Sequence, residues 1–411
     1  MSRLLTSLLS LALCTLPAAC GGDGNRTTEI AQKKKSKKKK KKKRSKRSKN
    51  KKKKRSGADA NYRKAIDAEA DGDVRAAVKY FKRAIEEEPS HLKANQHYVH
   101  FLISEGENVK ALRAASAFHE EVSGEAISYH ILADAELTNK EYERVIGTIT
   151  ALLAFSDDDA VAYDKRGRAR IVVGELEGGI TDIKRALKID PDNPAFLLSL
   201  ATGQLRKGRS KAAKKILLTV LKIDDESSRA RLLLGIIARS NGQLQEAKKY
   251  HQAAAELSPL NPRTQYELGI TLNVLGDNED AELHFEKAVD LAPDNSTYWY
   301  GYGELFRVTG RMDDAAEAYK ECVKLQSTNS LAWEKLGEAL LATKDLSGAA
   351  KYLKRGLAKV DNPRLYFLLG VVYFNAKKGM RATESFENYL DAAGARAKDS
   401  KEARRYLKRL R

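Results

Sequence analysis

Small residues recur through this chain at a spacing of 34, and that recurrence leaves few folds open. Steps of 34 from Gly269 reach Ala65, Val99, Ala133, Gly167, Ala201, Gly235, Gly303 and Gly337, with Gly370 one residue early. A parallel series holds Ala77, Ala111, Val145, Gly179, Ala213, Ala247, Ala281, Ala315, Ala349 and Ala382. Around each member the apolar residues fall three and four apart, as in Leu268, Gly269 and Leu272, then Ala281, Phe285 and Ala288. That spacing predicts two amphipathic helices per period, small where each must press closest to its neighbour. Gly72, Gly106, Gly174, Gly208, Gly242, Gly276 and Gly310 fall between the paired helices, where a left-handed residue ends the first of them. Pro89, Pro191, Pro259 and Pro293 close four of the units.

The offsets of small residue, aromatic and proline resemble the tetratricopeptide repeat, whose period is also 34. The resemblance runs over residues 58–396, more than four-fifths of the chain. It implies an all-α, right-handed superhelical solenoid of about ten hairpins. Such an array has no single core to outgrow, so length does not force a division into globular domains. The expected organisation is a signal peptide over 1–19, a disordered basic tether over 20–57, irregular repeats over 58–159 and regular ones over 160–396. A capping helix over 397–411 follows, with Ala403, Tyr406, Leu407 and Leu410 inward and Arg404, Arg405, Lys408 and Arg409 outward. Phe118 and Leu152 stand where later units carry Ala186, Ala254 and Ala288, which predicts looser packing in the first three repeats. Trp299 and Trp333 occupy the family's packing-Trp place and are expected in the core.

The net charge of +20 belongs to one segment. Between Lys33 and Arg55, 19 of 23 residues are Lys or Arg and none is acidic, whereas from Ala58 onward 54 basic residues face 53 acidic ones. The repeats are thus almost neutral. The tract (Lys37, Lys38, Lys39, Lys40, Lys41, Lys42, Lys43, Arg44, Lys51, Lys52, Lys53, Lys54 and Arg55 at its densest) lacks an apolar face and cannot fold alone. It is either a solvated spacer or an electrostatic attachment to a polyanion. Each cation beside an anionic membrane contributes about 1 kcal/mol. Nucleic acid is the competing polyanion, but no aromatic residue lies within the tract to stack on bases.

Arg3, the apolar run Leu4–Leu16 and the small-residue site Ala18-Ala19-Cys20 read as an export signal. The run is too short to span a bilayer comfortably. Cys20 followed by Gly21, Gly22, Asp23 and Gly24 resembles the start of a mature bacterial lipoprotein, which implies a lipid on Cys20. Pro17 departs from that pattern, which prefers Leu there. No Asp directly follows the cysteine, and by the same resemblance the address implied is the periplasmic face of the outer membrane. Lipid plus polybasic segment makes a two-part anchor. An ordinary cleaved signal stays open. So does a cytoplasmic protein whose basic arm binds nucleic acid or inner-leaflet lipid, because Lys and Arg after an apolar segment resist translocation.

In the resembled family the first helix of each unit lines a concave groove that binds protein or peptide. Its fifth place gives Leu198, Leu232, Tyr266, Tyr300 and Phe367, interrupted by Glu334, and its ninth adds Ile236 and Ile270. Arg229, Arg263, Arg239 and Arg307 flank the stripe. The implied ligand is a peptide bearing acidic groups, and the implied role a scaffold that assists secretion or envelope assembly. The residue set that grips a C-terminal carboxylate is missing, since its Lys place holds Tyr62, Gln96, His130, Asp164 or apolar residues. Asp157, Asp158 and Asp159 lack the loop spacing of a calcium site and suit helix N-capping. His97 and His100, three apart, show no partner in sequence and are expected to pack. Cys322 falls on an inward place. No phosphate loop, nucleophile elbow or zinc-protease pair is present. No cofactor or metal is expected, and nothing in the sequence carries catalysis.

Overall fold

The computed structural model describes residues 57–394 and 397–411, and every regular element among them is a helix. The signal segment, Cys20 and the Lys-rich tract lie outside these residues. The chain forms two compact units that divide between Ile223 and Asp224. The first contains α1 (57–70), α2 (Val74–Glu87), α3 (Leu92–Ser104), α4 (Asn108–Glu121) and α5 (Ala126–Thr138). It continues through α6 (Tyr142–Leu153), α7 (Ala160–Val173), α8 (Leu176–Ile189), α9 (Pro194–Arg206) and α10 (Ser210–Ile223). The second holds α11 (Ser228–Ser240), α12 (Leu244–Leu257), α13 (Pro262–Leu275), α14 (Asn278–Leu291), α15 (Ser296–Val308) and α16 (Met312–Leu325). It ends with α17 (Ser330–Ala342), α18 (Leu346–Leu357), α19 (Pro363–Asn375), α20 (Gly379–Ala393) and α21 (Ser400–Leu410). Paired off, α1 to α20 make ten hairpins, and α21 stands alone against the tenth.

Both small-residue series are buried throughout. In the first series the reason is a partner sixteen residues on, bulky except at Ala115 behind Val99: Phe81, Ile149, Ile183, Leu217, His251, Phe285, Tyr319, Leu353 and Phe386 fill it, all buried. These side chains lie on the second helix and lean into the first. A Cβ added at Gly303 would stand 2.7 Å from the Tyr319 ring, at Gly337 2.5 Å from Leu353, and at Gly370 2.6 Å from Phe386. Those glycines are therefore required by contact. Dispersion and apolar burial across this seam hold each hairpin shut.

The seven inter-helix glycines all have positive φ, as their place predicted, between 73° and 97°. Three further turns put Lys140, Lys344 and Lys377 in the same left-handed conformation, at φ 62°, 63° and 56°. Asn193, Asn261, Asn295, Asn329 and Asn362 cap the first helices that follow them, each accepting from a backbone N–H. A second fastening was not evident in sequence. The fourth residue of several first helices donates to the carbonyl six residues back, across the preceding turn. Asn95 and Gln265 do so at 2.9 Å to Pro89 and Pro259, Trp299 at 2.9 Å to Pro293 and Trp333 at 2.8 Å to Ser327. Trp333 is buried as expected, while Trp299 is only half-buried and acts through its indole N–H.

In the first unit, a recess of about 250 Å³ opens between α2, α3 and α4, lined by Ile85, Pro89, Tyr98, Ala114 and Phe118 among others. It sits beside the bulky Phe118 of the irregular repeats. The histidines are better partnered than the sequence suggested. His97 meets Glu69 at 2.9 Å, so the expectation of a partnerless residue is corrected. The two lie 28 residues apart on successive first helices, a pairing invisible without the fold. Asp159 accepts from the Ala162 N–H at 2.9 Å, which is the N-cap role, and also meets His130 at 2.7 Å. Cys322 is buried, and burial pushes its thiol up to about 12.

Candidate functional site

Within the second unit, first helices α11 and α13, α13 and α15, and α17 and α19 touch one another directly. The glycine seams draw them this close, and the result decides which side chains remain on their outer face. Leu232, Ile236, Tyr266 and Phe367 are buried, as is Leu198 in the first unit. Tyr300 and Ile270 are half-buried. The Tyr266 ring shows why: it lies 4.8 Å from Tyr298 and 5.7 Å from Phe285, against the backbone of Gly301. The expected apolar stripe is thus largely a packing layer between successive hairpins. What faces outward is mainly polar and charged.

The charged layer begins with Arg239 on α11. Its expected position at the groove edge is corrected to a buried one, with Arg239 only 7% and Glu267 only 1% exposed. The Arg239 guanidinium donates to the Glu267 carboxylate at 2.5 Å, to its carbonyl at 3.1 Å and to Thr271 Oγ1 at 3.2 Å. His251 Nδ1 lies 2.8 Å from the same hydroxyl. Burial alone would raise the Glu267 carboxyl, but Arg239 and Arg263 together hold it below its ordinary value. Breaking a buried pair of this kind costs about 3–5 kcal/mol, because it strands a charge.

Further along the face, Glu304 receives Arg307 at 2.8 Å and also accepts from the Tyr319 hydroxyl. Arg364 gathers Glu334 at 2.9 Å, Glu338 at 3.1 Å and Asp399. Lys335 meets Glu338 at 2.8 Å. Arg229 is half-buried and engaged. Arg263 differs from all of these. Its Nε and Nη2 are shielded from water and have no hydrogen-bond partner, and no carboxylate of the described residues pairs with it. The Tyr266 and Tyr300 hydroxyls are likewise shielded and unpartnered, and burial raises both phenols above their ordinary value. The Arg239–Glu267–Arg263 group therefore keeps one uncompensated positive charge.

Sequence reasoning placed Arg263 and Arg239 on one footing, and the structure separates them. The usable signal was Glu267 itself, an acid on an inward helical place, 28 residues from Arg239. No apolar position tolerates an ionised carboxyl without a partner, so an acid there announces a buried pair.

Stacked helix hairpins with a polar first-helix face define a helical-repeat interaction scaffold. Tetratricopeptide-repeat family models match residues 174–237, 228–259 and 266–330, so the chain carries tetratricopeptide repeats there. No curated protein matches it significantly in sequence. Among solved structures, a chain of the APC/C hetero-tetramer Cut9–Hcn1 is similar, at 17% identity and a TM-score of 0.55. The likeness covers 73% of this chain but only 59% of that one, and it concerns the fold alone. The pilF protein of Pseudomonas aeruginosa matches over 48% of this chain and 90% of its own, at 20% identity and a TM-score of 0.44. YrrB, described as a repeat protein with an unusual peptide-binding site, matches over 45% of this chain and 95% of its own, at 21% identity and a TM-score of 0.35.

Proposed function

We propose that the chain is a non-enzymatic scaffold of a bacterial cell envelope. It holds a partner protein on its first-helix face, while a lipidated Cys20 and the Lys-rich tract keep it at the periplasmic face of the outer membrane. Arg263 carries the partner-binding half of this reading. A shielded donor without an acceptor costs about 1–3 kcal/mol, and a guanidinium with two of them is satisfied by the two oxygens of one carboxylate. On this reading the partner presents an acidic side chain to Arg263. Membrane tethering rests on residues 1–57, where the signal, the cysteine and the cationic tract follow one another.

A photoreactive residue in place of Tyr300 should capture the partner in cells. Arg263→Glu should cut capture at least about tenfold, the loss of a charge-assisted hydrogen bond of about 1.5–3 kcal/mol. Lys249→Glu, on the exposed side of α12, should leave it unchanged. Equal capture by both variants would overturn the partner reading. For the anchor, inhibition of lipoprotein signal cleavage should accumulate a longer precursor. A chain that stays soluble and unaffected by the inhibitor would remove the envelope address.

A further inference from the structure

The end of the second unit carries a strongly charged face that the scaffold reading does not use. In α21, Ala403 and Leu407 are buried, and the Tyr406 ring stacks on Phe386 with centroids 4.9 Å apart. The helical spacing then turns Lys401, Arg404, Arg405, Lys408 and Arg409 outward, and all five are exposed. Lys398 and Arg411 extend the set, against the single exposed acid Glu402. None of these seven cations forms an ion pair with any described residue.

The α19–α20 turn joins this surface. A Cβ at Gly379 would stand 3.7 Å from Leu410 Cδ2, which sets the start of α20 against the end of α21. Lys377, Lys378 and Arg381 are exposed there, and among them Met380 is 90% exposed, more than any other large apolar side chain described. Glu384 and Glu387, farther along α20, bound the patch.

We infer that this end of the second unit is a docking surface for an anionic lipid bilayer, with the Met380 side chain entering the headgroup layer. Cations and one protruding apolar side chain on the same face match the two components of such a surface, its negative potential and its apolar interior. Each basic residue near the surface strengthens association by about fivefold. Nucleic acid fits less well. The nearby aromatic rings are engaged with one another, Phe374 on Tyr406 at 4.8 Å and Phe386 on Tyr406, so no ring is offered to a base. A thioether held out in water gains nothing from a phosphate backbone. The inference does not require a lipid on Cys20 or binding by the Lys-rich tract.

The test reads Met380 itself. The full chain is exposed to dilute peroxide, and sulfoxide formation at Met380 is followed by mass spectrometry with Met312 as internal reference. Vesicles of phosphatidylcholine with phosphatidylglycerol should slow oxidation at Met380 by about fivefold or more, and phosphatidylcholine alone should not. Arg404→Glu/Arg405→Glu/Lys408→Glu, confined to exposed side chains, should abolish that protection, with the helical circular-dichroism signal unchanged. If the chain floats with the anionic vesicles while Met380 oxidises at its free rate, the inference is overturned and the tether reading stands. If it fails to float at all, the inference falls, and so does electrostatic attachment by the Lys-rich tract. Equal protection by duplex DNA would replace the lipid surface with a general polyanion site and also overturn the proposal.

Discussion

His251 stands in a place that most other hairpins fill with Phe, Tyr, Leu or Ile, and its ring is fully buried against Gly235. Burial, aided by Arg239, pushes its pKa down from 6.5 to about 3. The native state therefore holds it neutral while the unfolded chain takes up a proton below about 6.5. Between those values the unfolded state binds more protons, so stability falls as pH falls. Going from pH 7 to pH 5 should cost about 2 kcal/mol through this one residue. Denaturant unfolding of His251→Leu should show a correspondingly shallower loss over the same interval. An identical pH slope in variant and parent would mean that the ring is already charged or exposed. The same scale explains why Arg263 matters more than its better-connected neighbours. Arg239, Arg307 and Arg364 spend donors on carboxylates inside the protein, whereas Arg263 keeps two shielded donors without an acceptor.

For the hairpin, contact distance sets the sequence. Gly303→Ala places a methyl group against the Tyr319 ring, which is wedged at zero exposure and also bonded to Glu304. Overpacking of this sort costs about 1–3 kcal/mol, measurable as a lowered denaturation midpoint. A neutral outcome would mean that the seam has slack. This part of the architecture was legible in advance, because a small residue every 34 positions has meaning only if something large presses on it from a fixed direction. The left-handed glycines and asparagine caps were legible for the same local reason. The binding face was less so. Periodicity tells which side of α13 Tyr266 occupies, but not how near α15 approaches, and that nearness buries the ring. Nor does it pair Arg239 with Glu267 and His251, which meet only when three helices come together. The buried acid at 267 was the one visible hint.

Over the whole molecule, charge is distributed unevenly by segment. The repeats are nearly neutral as a set, the tract before them is overwhelmingly cationic, and α21 carries its own unpaired cations. No described helix is long and apolar enough to cross a membrane. The bilayer contact proposed at Met380 is a peripheral one. Removing residues 397–411 should uncover the Phe374 and Phe386 rings that Tyr406 covers. Light scattering should then report concentration-dependent self-association of the shortened chain, and a strictly monomeric product would argue against it. The reason lies in repetition itself. Every interior hairpin offers its successor much the same apolar side, so a tenth hairpin stripped of its cover offers that side to the first hairpin of another copy. Head-to-tail contacts of this type build rings where the rotation closes and open fibres where it does not. On this account Tyr406, lying flat on Phe386, covers the surface from which such assembly would start.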